Sequence, residues 1–473
     1  MSVAAAKSET IDAALVSAGH VTWLGETIEL LKLSGPLILA QIAGILLFTT
    51  DVVMMGWLGP TYLAAGSLST SLMHPLSIGG MGVITATSPL IAQAIGARRF
   101  RDVRRVARQG LWVSVALSFI TIPIILCAKP IFLALNQIPS VVDDAQTYLN
   151  IAAFALLPSY GIVVYRSVLQ AHGKTGLLLV IAIMGVLLNA LMNYGLMFGN
   201  FGLPRLELAG AAISTVAVNF VMLAAGLYAV SVHPATRRYH VLTRILKPDW
   251  PRFVQIWRVG TPIGLSMLSE VGLFGVAVIM MGWISTEAVA AHAVALQVAA
   301  ISFMVPLGLS MGTTVRVGLH YGAGNPDGVA KSGWSSMGLT ALFMAVTCAA
   351  YLTVPQFFVH LFLDPTDPNN ASTIALATSY LIVSGLFQFF DGGQVSSTAA
   401  LRGLSDTRFP MLAALVGYWL FGLGVAYALA FVAGWQGVGI WAGLGAGLGF
   451  VAVTLTIRFF LRERLGLLRG LRD

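Results

Sequence analysis

Residues 34–58, SGPLILAQIAGILLFTTDVVMMGWL, are long and apolar enough to cross a bilayer as a helix, yet they contain a carboxylate, Asp51. A charge at membrane depth costs several kcal/mol unless it faces protein or water, so it marks a functional site by default. The same stretch recurs in altered form. Pro36 and Met54-Met55-Gly56-Trp57 reappear as Pro262 and Met280-Met281-Gly282-Trp283, at one offset of 226 residues. Ala64-Ala65 and Gly96-Ala97 recur as Ala290-Ala291 and Gly322-Ala323 at the same offset. Matches in one register indicate an internal repeat, a device common in secondary transporters.

The chain has 473 residues, of which 57% are hydrophobic and 10% charged. Soluble domains carry roughly 25% charged residues, so a polytopic membrane protein is expected. Twelve apolar segments near 34–58, 63–95, 109–128, 142–171, 177–198, 208–232, 259–283, 288–319, 333–356, 373–401, 409–432 and 437–460 are each able to span. The first 33 residues lack an apolar run, so no cleavable signal peptide is expected. Cys127 and Cys348 lie in apolar runs and read as plain thiols, neither disulfide nor metal ligand.

With a cytoplasmic N-terminus, 25 of the 27 Lys and Arg residues fall on the inner side, leaving only Lys129 and Arg205 outside. This asymmetry predicts that both termini are cytoplasmic and the helix count even. The net charge of +8 is then a topology and lipid-headgroup signal, not a nucleic-acid footprint. The expected fold is an all-α membrane protein: twelve transmembrane helices in two six-helix lobes, related by a pseudo-two-fold along the membrane normal. The expected divisions are a cytoplasmic N-terminal segment 1–33, an N-lobe 34–232, a cytoplasmic linker 233–258, a C-lobe 259–460 and a cytoplasmic tail 461–473. A cavity is expected between the lobes.

Of the 19 acidic residues, 16 fall in tails, loops or helix ends, and Asp51, Glu270 and Asp391 remain at membrane depth. No Lys or Arg is placed mid-membrane beside them. Carboxylates buried without a cation can take up and release protons in the physiological range. With oxygen neighbours they could instead hold Na⁺. Helix rise puts Glu270 and Asp391 at matching depth, about 17–18 Å from the inner surface, where they could titrate as a pair. Asp51 is about 25 Å up, in a separate site of the other lobe. The repeat aligns Asp51 with Ala277 and Glu270 with Gly44, so the architecture does not itself require these acids. Asn189 and Asn193 share a face of helix 5, and Thr215 lies about 10 Å below the outer end of helix 6. They could complete a polar nest around Asp51, or serve as interhelical hydrogen-bond glue.

At these residues the chain resembles the multidrug and toxic compound extrusion (MATE) transporters, NorM-type branch, from about 30 to 460. The signatures are TTDVVMMGWLG, GTPIGLSMLSEVGLF and FQFFDGGQVSSTAALRGLSDT, supported by PLIAQAIGARR, LQAHGKT and VPLGLSMGTTVRVG. The resemblance implies an antiporter that exports lipophilic, often cationic drugs in exchange for inward H⁺ or Na⁺. It implies a cation and proton site, with Na⁺ as one occupant, at Asp51, Asn189, Asn193 and Thr215, and C-lobe acids at Glu270 and Asp391. Relatives carry a tyrosine where this chain has Phe387, which lacks a hydroxyl and weakens a C-lobe Na⁺ site.

The remaining candidates carry weaker signals. Met54 and Met281 are candidates for an adaptable substrate cavity, although lipid-facing packing suffices to explain them. Phe387, Gln388 and Phe390 flank Asp391 and are candidates to meet a cationic substrate. Pro36 and Pro262 could bend their helices. His74 and His292 are lone intramembrane imidazoles, read more simply as packed groups than as coupling ones. The expectation is an efflux antiporter of the cytoplasmic membrane, not an enzyme, a monomer among lipids, without cofactor or nucleic acid, coupled to H⁺ or Na⁺. A lipid-linked precursor flippase or metabolite exporter of similar architecture is the alternative, disfavoured by the lack of mid-membrane cations for phosphate. An intramembrane hydrolase is remote, because no HExxH, GxGD or GxSG motif is present.

Overall fold

The computed structural model describes residues 22–243, 245 and 247–468. Among these residues there is no strand. Twelve helices are long and apolar enough to cross a membrane: α1 Trp23–Leu58, α2 Pro60–Gly96, α3 Phe100–Leu126, α4 Pro139–Ala171, α5 Thr175–Phe198, α6 Glu207–Val232, α7 Trp250–Gly282, α8 Thr286–Gly322, α9 Pro326–Thr353, α10 Pro368–Gly403, α11 Arg408–Val432 and α12 Gln436–Phe460. Each of them overlaps one of the twelve apolar segments. α1 and α7 differ at their starts: they begin at Trp23 and Trp250, within stretches that hydropathy assigns to the tail and linker. Proline inside a helix removes a backbone bond and bends the axis, yet Pro36 and Pro262 sit within helices that run on past them.

Packing divides the chain into two compact units. One, the N-unit, holds Leu39–Gly264; the other, the C-unit, holds the described residues from Leu265 onward together with 22–38. The divisions fall inside α1 and α7, and Ile38 and Gly264 are themselves one repeat length apart. Each unit therefore packs its own later helices against the opening half of the other repeat's first helix.

Small residues permit that packing. In the C-unit a Cβ on Gly308 would meet Ile38 Cα at 2.7 Å, and one on Gly312 would meet Ser34 Oγ at 2.2 Å. In the N-unit a Cβ on Gly260 would meet Val83 O at 2.0 Å, and one on Gly264 would meet Gly79 O at 2.6 Å. Positions 34 and 38 correspond to 260 and 264 under the repeat. The seam thus recurs in both units, with its close-approach glycines on α8 in the C-unit and on α7, faced by Gly79 of α2, in the N-unit.

Charge fixes the same segments. In the C-unit, Glu26 of α1 is 1% exposed and forms a bidentate pair with Arg316 of α8, one arm Arg316 Nε to Oε1 at 2.8 Å. Ser332 donates to it at 2.6 Å, and His320 lies at 3.2 Å. In the N-unit, Arg252 of α7 pairs with Asp102 of α3 at 2.8 Å, and Arg105 pairs with Asp249 at 2.5 Å. Positions 26 and 252 are repeat equivalents of opposite charge. Arg105 hydrogen-bonds the Asp249 carboxyl and holds it below the ordinary carboxylate range.

α11 and α12 meet along glycines. A Cβ on Gly447 would stand 2.7 Å from Gly422 Cα, and one on Gly443 would stand 2.3 Å from Ala426 Cα. α11 is wound as a π-helix over Val416–Gly422 and Ala428–Val432. Such widened turns are rare and shift every side chain that follows them.

Two predictions follow from this packing. Arg316→Met leaves Glu26 buried without its cation and is expected to cost about 3–5 kcal/mol, whereas Glu26→Gln/Arg316→Met together cost much less. Thermal melts of the detergent-solubilised protein check this, and equal losses in the single and double variants would refute it. Gly447→Ala forces α11 and α12 apart and is expected to cost about 1–3 kcal/mol in the same melts.

Candidate functional site

The N-unit site is built on α1, α4, α5 and α6. Asp51 lies seven residues before the end of α1, about 10 Å along the helix. It is 8% exposed. Asn193 Nδ2 donates to Asp51 Oδ1 at 2.6 Å and more weakly to Asn189 Oδ1 at 3.3 Å. The i, i+4 spacing on α5 makes this possible, because it stacks the two amides on one face. Thr215 of α6 stands beside the same carboxylate, its own hydroxyl donating to the Ala211 carbonyl at 3.0 Å. Tyr148 of α4 joins Thr215 and Asp51 from the fourth side and is nearly inaccessible. The four residues expected around this position are therefore together.

No Lys or Arg pairs with Asp51 among the described residues. The carboxylate opens instead, with Thr215 and Tyr148, onto a cavity of about 210 Å³. The other walls are mostly apolar, Phe48 and Met55 among them, with the hydroxyl of Thr70 and the ring of His74. His74 lies 6.4 Å from the Phe48 ring. A buried carboxylate lined by amides and hydroxyls can hold a proton as a neutral acid, or a small hard cation through oxygen ligands. Asn193 Oδ1 is buried with no hydrogen-bond partner, so it is one such ligand in reserve.

The C-unit holds the other two acids. Glu270 of α7 accepts from Gln394 Nε2 at 3.4 Å, and the same amide donates to the hydroxyl of Tyr418. Asp391 of α10 is 6% exposed, feels the charge of Glu270, and has no partner for Oδ1. The two carboxylates, expected to share a site, are neighbours. One expectation needs correcting here. Arg402, assigned to the inner surface, reaches back near enough for its charge to act on Glu270, although no ion pair joins them among the described residues. Its long stem lets the guanidinium lie away from the depth of its own backbone.

The substrate-cavity candidates fare differently. Phe387 is 3% exposed and packs between Phe274 and Trp441, with ring centroids 6.4 and 5.6 Å away, so it is a core residue. Met281 is fully buried in the C-unit core. Met54 is buried, and it is its neighbour Met55, with Met73, that lines the N-unit cavity. Successive residues of a helix are rotated by about 100°, so adjacent methionines point to different faces. Gln388 has no exposed surface, and Phe390 is 42% exposed. Sequence reasoning missed Tyr148, Gln394 and Tyr418. Gln394 was within reach, three residues from Asp391 on one helix face; Tyr418 was not, because it sits in a π-wound turn that breaks the usual register.

A family model described as MatE matches residues 36–195 and 262–428, starting each time at the proline that opens the repeat. The "Probable multidrug resistance protein NorM" of Mesorhizobium japonicum is 42% identical over 445 residues, 94% of this chain and 95% of that protein. Its namesake in Pseudomonas aeruginosa is 38% identical over 437 residues, 92% of this chain and 89% of that protein. Among solved structures, the eukaryotic MATE transporter AtDTX14 superposes with a TM-score of 0.82 at 22% identity, covering 95% of this chain and 99% of its own. A MATE in complex with MaL6 gives 0.84 at 20% identity, covering 94% and 97%.

Asn193→Leu leaves the Asp51 carboxylate without its donor and is expected to cost about 1–3 kcal/mol. Adding Asp51→Asn should recover most of that, since the neutral amide needs less solvation. A melting series of the two single variants and the double variant decides it; additive losses would show that the pair is not coupled.

Proposed function

Because this chain belongs to the MatE family, we propose that it is a cation-coupled multidrug efflux antiporter, exporting lipophilic, often cationic compounds in exchange for inward H⁺ or Na⁺. It would lie in the cytoplasmic membrane with both termini inside, as the distribution of Lys and Arg suggests. The observation that carries the reading is Asp51: a membrane-depth carboxylate with no fixed cation among the described residues, held by amides and a hydroxyl and open to a largely apolar cavity. The family relationship and the names of the NorM relatives support the substrate class.

The proposed mechanism is alternating access, in which Asp51 and the Glu270–Asp391 pair bind the cation more tightly in one state than in the other. Coupling needs that difference, because a cation bound equally in both states shifts nothing. With H⁺, the step is protonation of the Asp51 carboxylate, after which the Asn193 donor loses its charged acceptor. With Na⁺, the oxygens of Asp51, Asn189, Asn193 and Thr215 would be the ligands. Either cation lowers the charge of the N-unit cavity, which weakens its hold on a cationic drug. The apolar walls and Met55 suit substrates of varied shape.

Accumulation of a fluorescent dye in cells stripped of their own pumps tests this. The wild-type chain should lower accumulation, and Asp51→Asn and Asp391→Asn should each return it to about the empty-vector level. Normal pumping by both variants would overturn the carboxylate mechanism.

A further inference from the structure

α10 carries a stripe of buried polar groups whose atoms no described residue satisfies. Ser384, Gln388 and Asp391 are spaced i, i+4 and i+7 and share one face. Ser384 and Gln388 have no exposed surface. The Ser384 hydroxyl, both ends of the Gln388 amide and Asp391 Oδ1 all lack a hydrogen-bond partner. The stripe does not end there. His292 of α8 is 1% exposed, and neither of its ring nitrogens has a partner. The Trp441 ring of α12 packs against both helices, 5.3 Å from His292 of α8 and 5.6 Å from Phe387 of α10. Its indole N–H is unpartnered as well.

Buried polar atoms are nearly always paired with protein or with ordered water, so a run of unpaired ones is where ordered water is expected. The run also has a direction. His292 lies six residues from the start of α8, about 9 Å along it, and Trp441 five residues from the start of α12, the ends that the proposed orientation turns outward. Asp391 lies 20 residues from Ala371, the first residue of the α-helical run of α10, about 30 Å along it, and feels the charge of Glu270. No charged side chain pairs with His292 among the described residues; α12 presents Trp441 to it.

We propose that His292, Gln388 and Ser384 line a hydrated path by which the coupling cation reaches Asp391 from the outer side of the membrane. The path rests on the reading of Asp391 as a coupling group. His292 and Gln388 are positioning residues: they hold the water along which a proton hops, or oxygen ligands past which Na⁺ moves, and they do not bind the drug. The proton or ion arrives at the Asp391 carboxylate unchanged, so no bond other than O–H is made or broken.

The test uses the full chain in liposomes, with ethidium as the transported probe, driven by a pH gradient without Na⁺ or by a Na⁺ gradient at constant pH. Gln388→Leu and His292→Phe should slow cation-driven ethidium movement about tenfold and raise the half-saturating cation concentration, leaving that for ethidium unchanged. Both should melt at or above the wild-type temperature, because apolar groups replace unsatisfied polar ones. His292→Gln, which keeps a donor and an acceptor, should keep at least half the rate. The path is refuted if the apolar variants show wild-type cation dependence, or if they melt lower and His292→Gln fails with them, the mark of a packing role. Asp391→Asn separates the two ideas. If it is inactive while the apolar variants behave as wild type, only the path falls; if it is fully active, the coupling reading falls and the path with it.

Discussion

A carboxylate taken out of water must share its charge, and this chain does so in two ways. Glu26 is neutralised outright by Arg316, with His320 and Ser332 completing its shell. Asp51 has only amides, hydroxyls and a cavity. The first arrangement holds a negative charge permanently in place. The second supplies no fixed cation among the described residues to cancel the charge. Glu270 stands between the two, within range of Arg402 yet not paired with it. One kind of acid therefore builds the fold, and the other is left adjustable.

The fixed charges sit where the fold needs them. Neither half of the repeat is self-contained, since the opening turns of α1 belong to the C-unit and those of α7 to the N-unit. Glycine seams allow these segments to dock closely, at Gly308 and Gly312 in one unit and at Gly260 and Gly264 in the other. Ion pairs at the repeat-equivalent positions 26 and 252 then fasten them, with the signs reversed. The sign reversal prevents either segment from being held in the other's place, because Glu26 opposite Asp102, or Arg252 opposite Arg316, would repel.

Hydropathy and the repeat made the twelve helices and their pairing into halves legible, because a membrane span is written in a single local property. Asp51 with Asn189, Asn193 and Thr215 was legible for a different reason: few polar residues exist at that depth, and helical spacing brought them to common faces. What stayed hidden depends on long-range contact. The starts of α1 and α7 carry Glu26 and Arg252, whose partners Arg316 and Asp102 lie far away in the sequence. Arg402 was placed at the surface by its backbone position, which says nothing of where a long side chain ends. Tyr418 was hidden by the π-wound turns of α11, which no periodicity announces. Phe387 and Met281 were misplaced as lining because apolar residues beside a polar one look the same from sequence whether they face a cavity or a core.

The shared first helices also bear on how the molecule is made. A ribosome that has released everything through α6 has not yet supplied Trp250–Gly264, so the N-unit must wait with an open groove along α2 and α3. Meanwhile the opening turns of α1, already synthesised and carrying Glu26, have no partner until α8 brings Arg316 nearly three hundred residues later. Biogenesis of this protein is therefore not the successive completion of two halves. Each half stays unfinished until the other has been threaded into the bilayer.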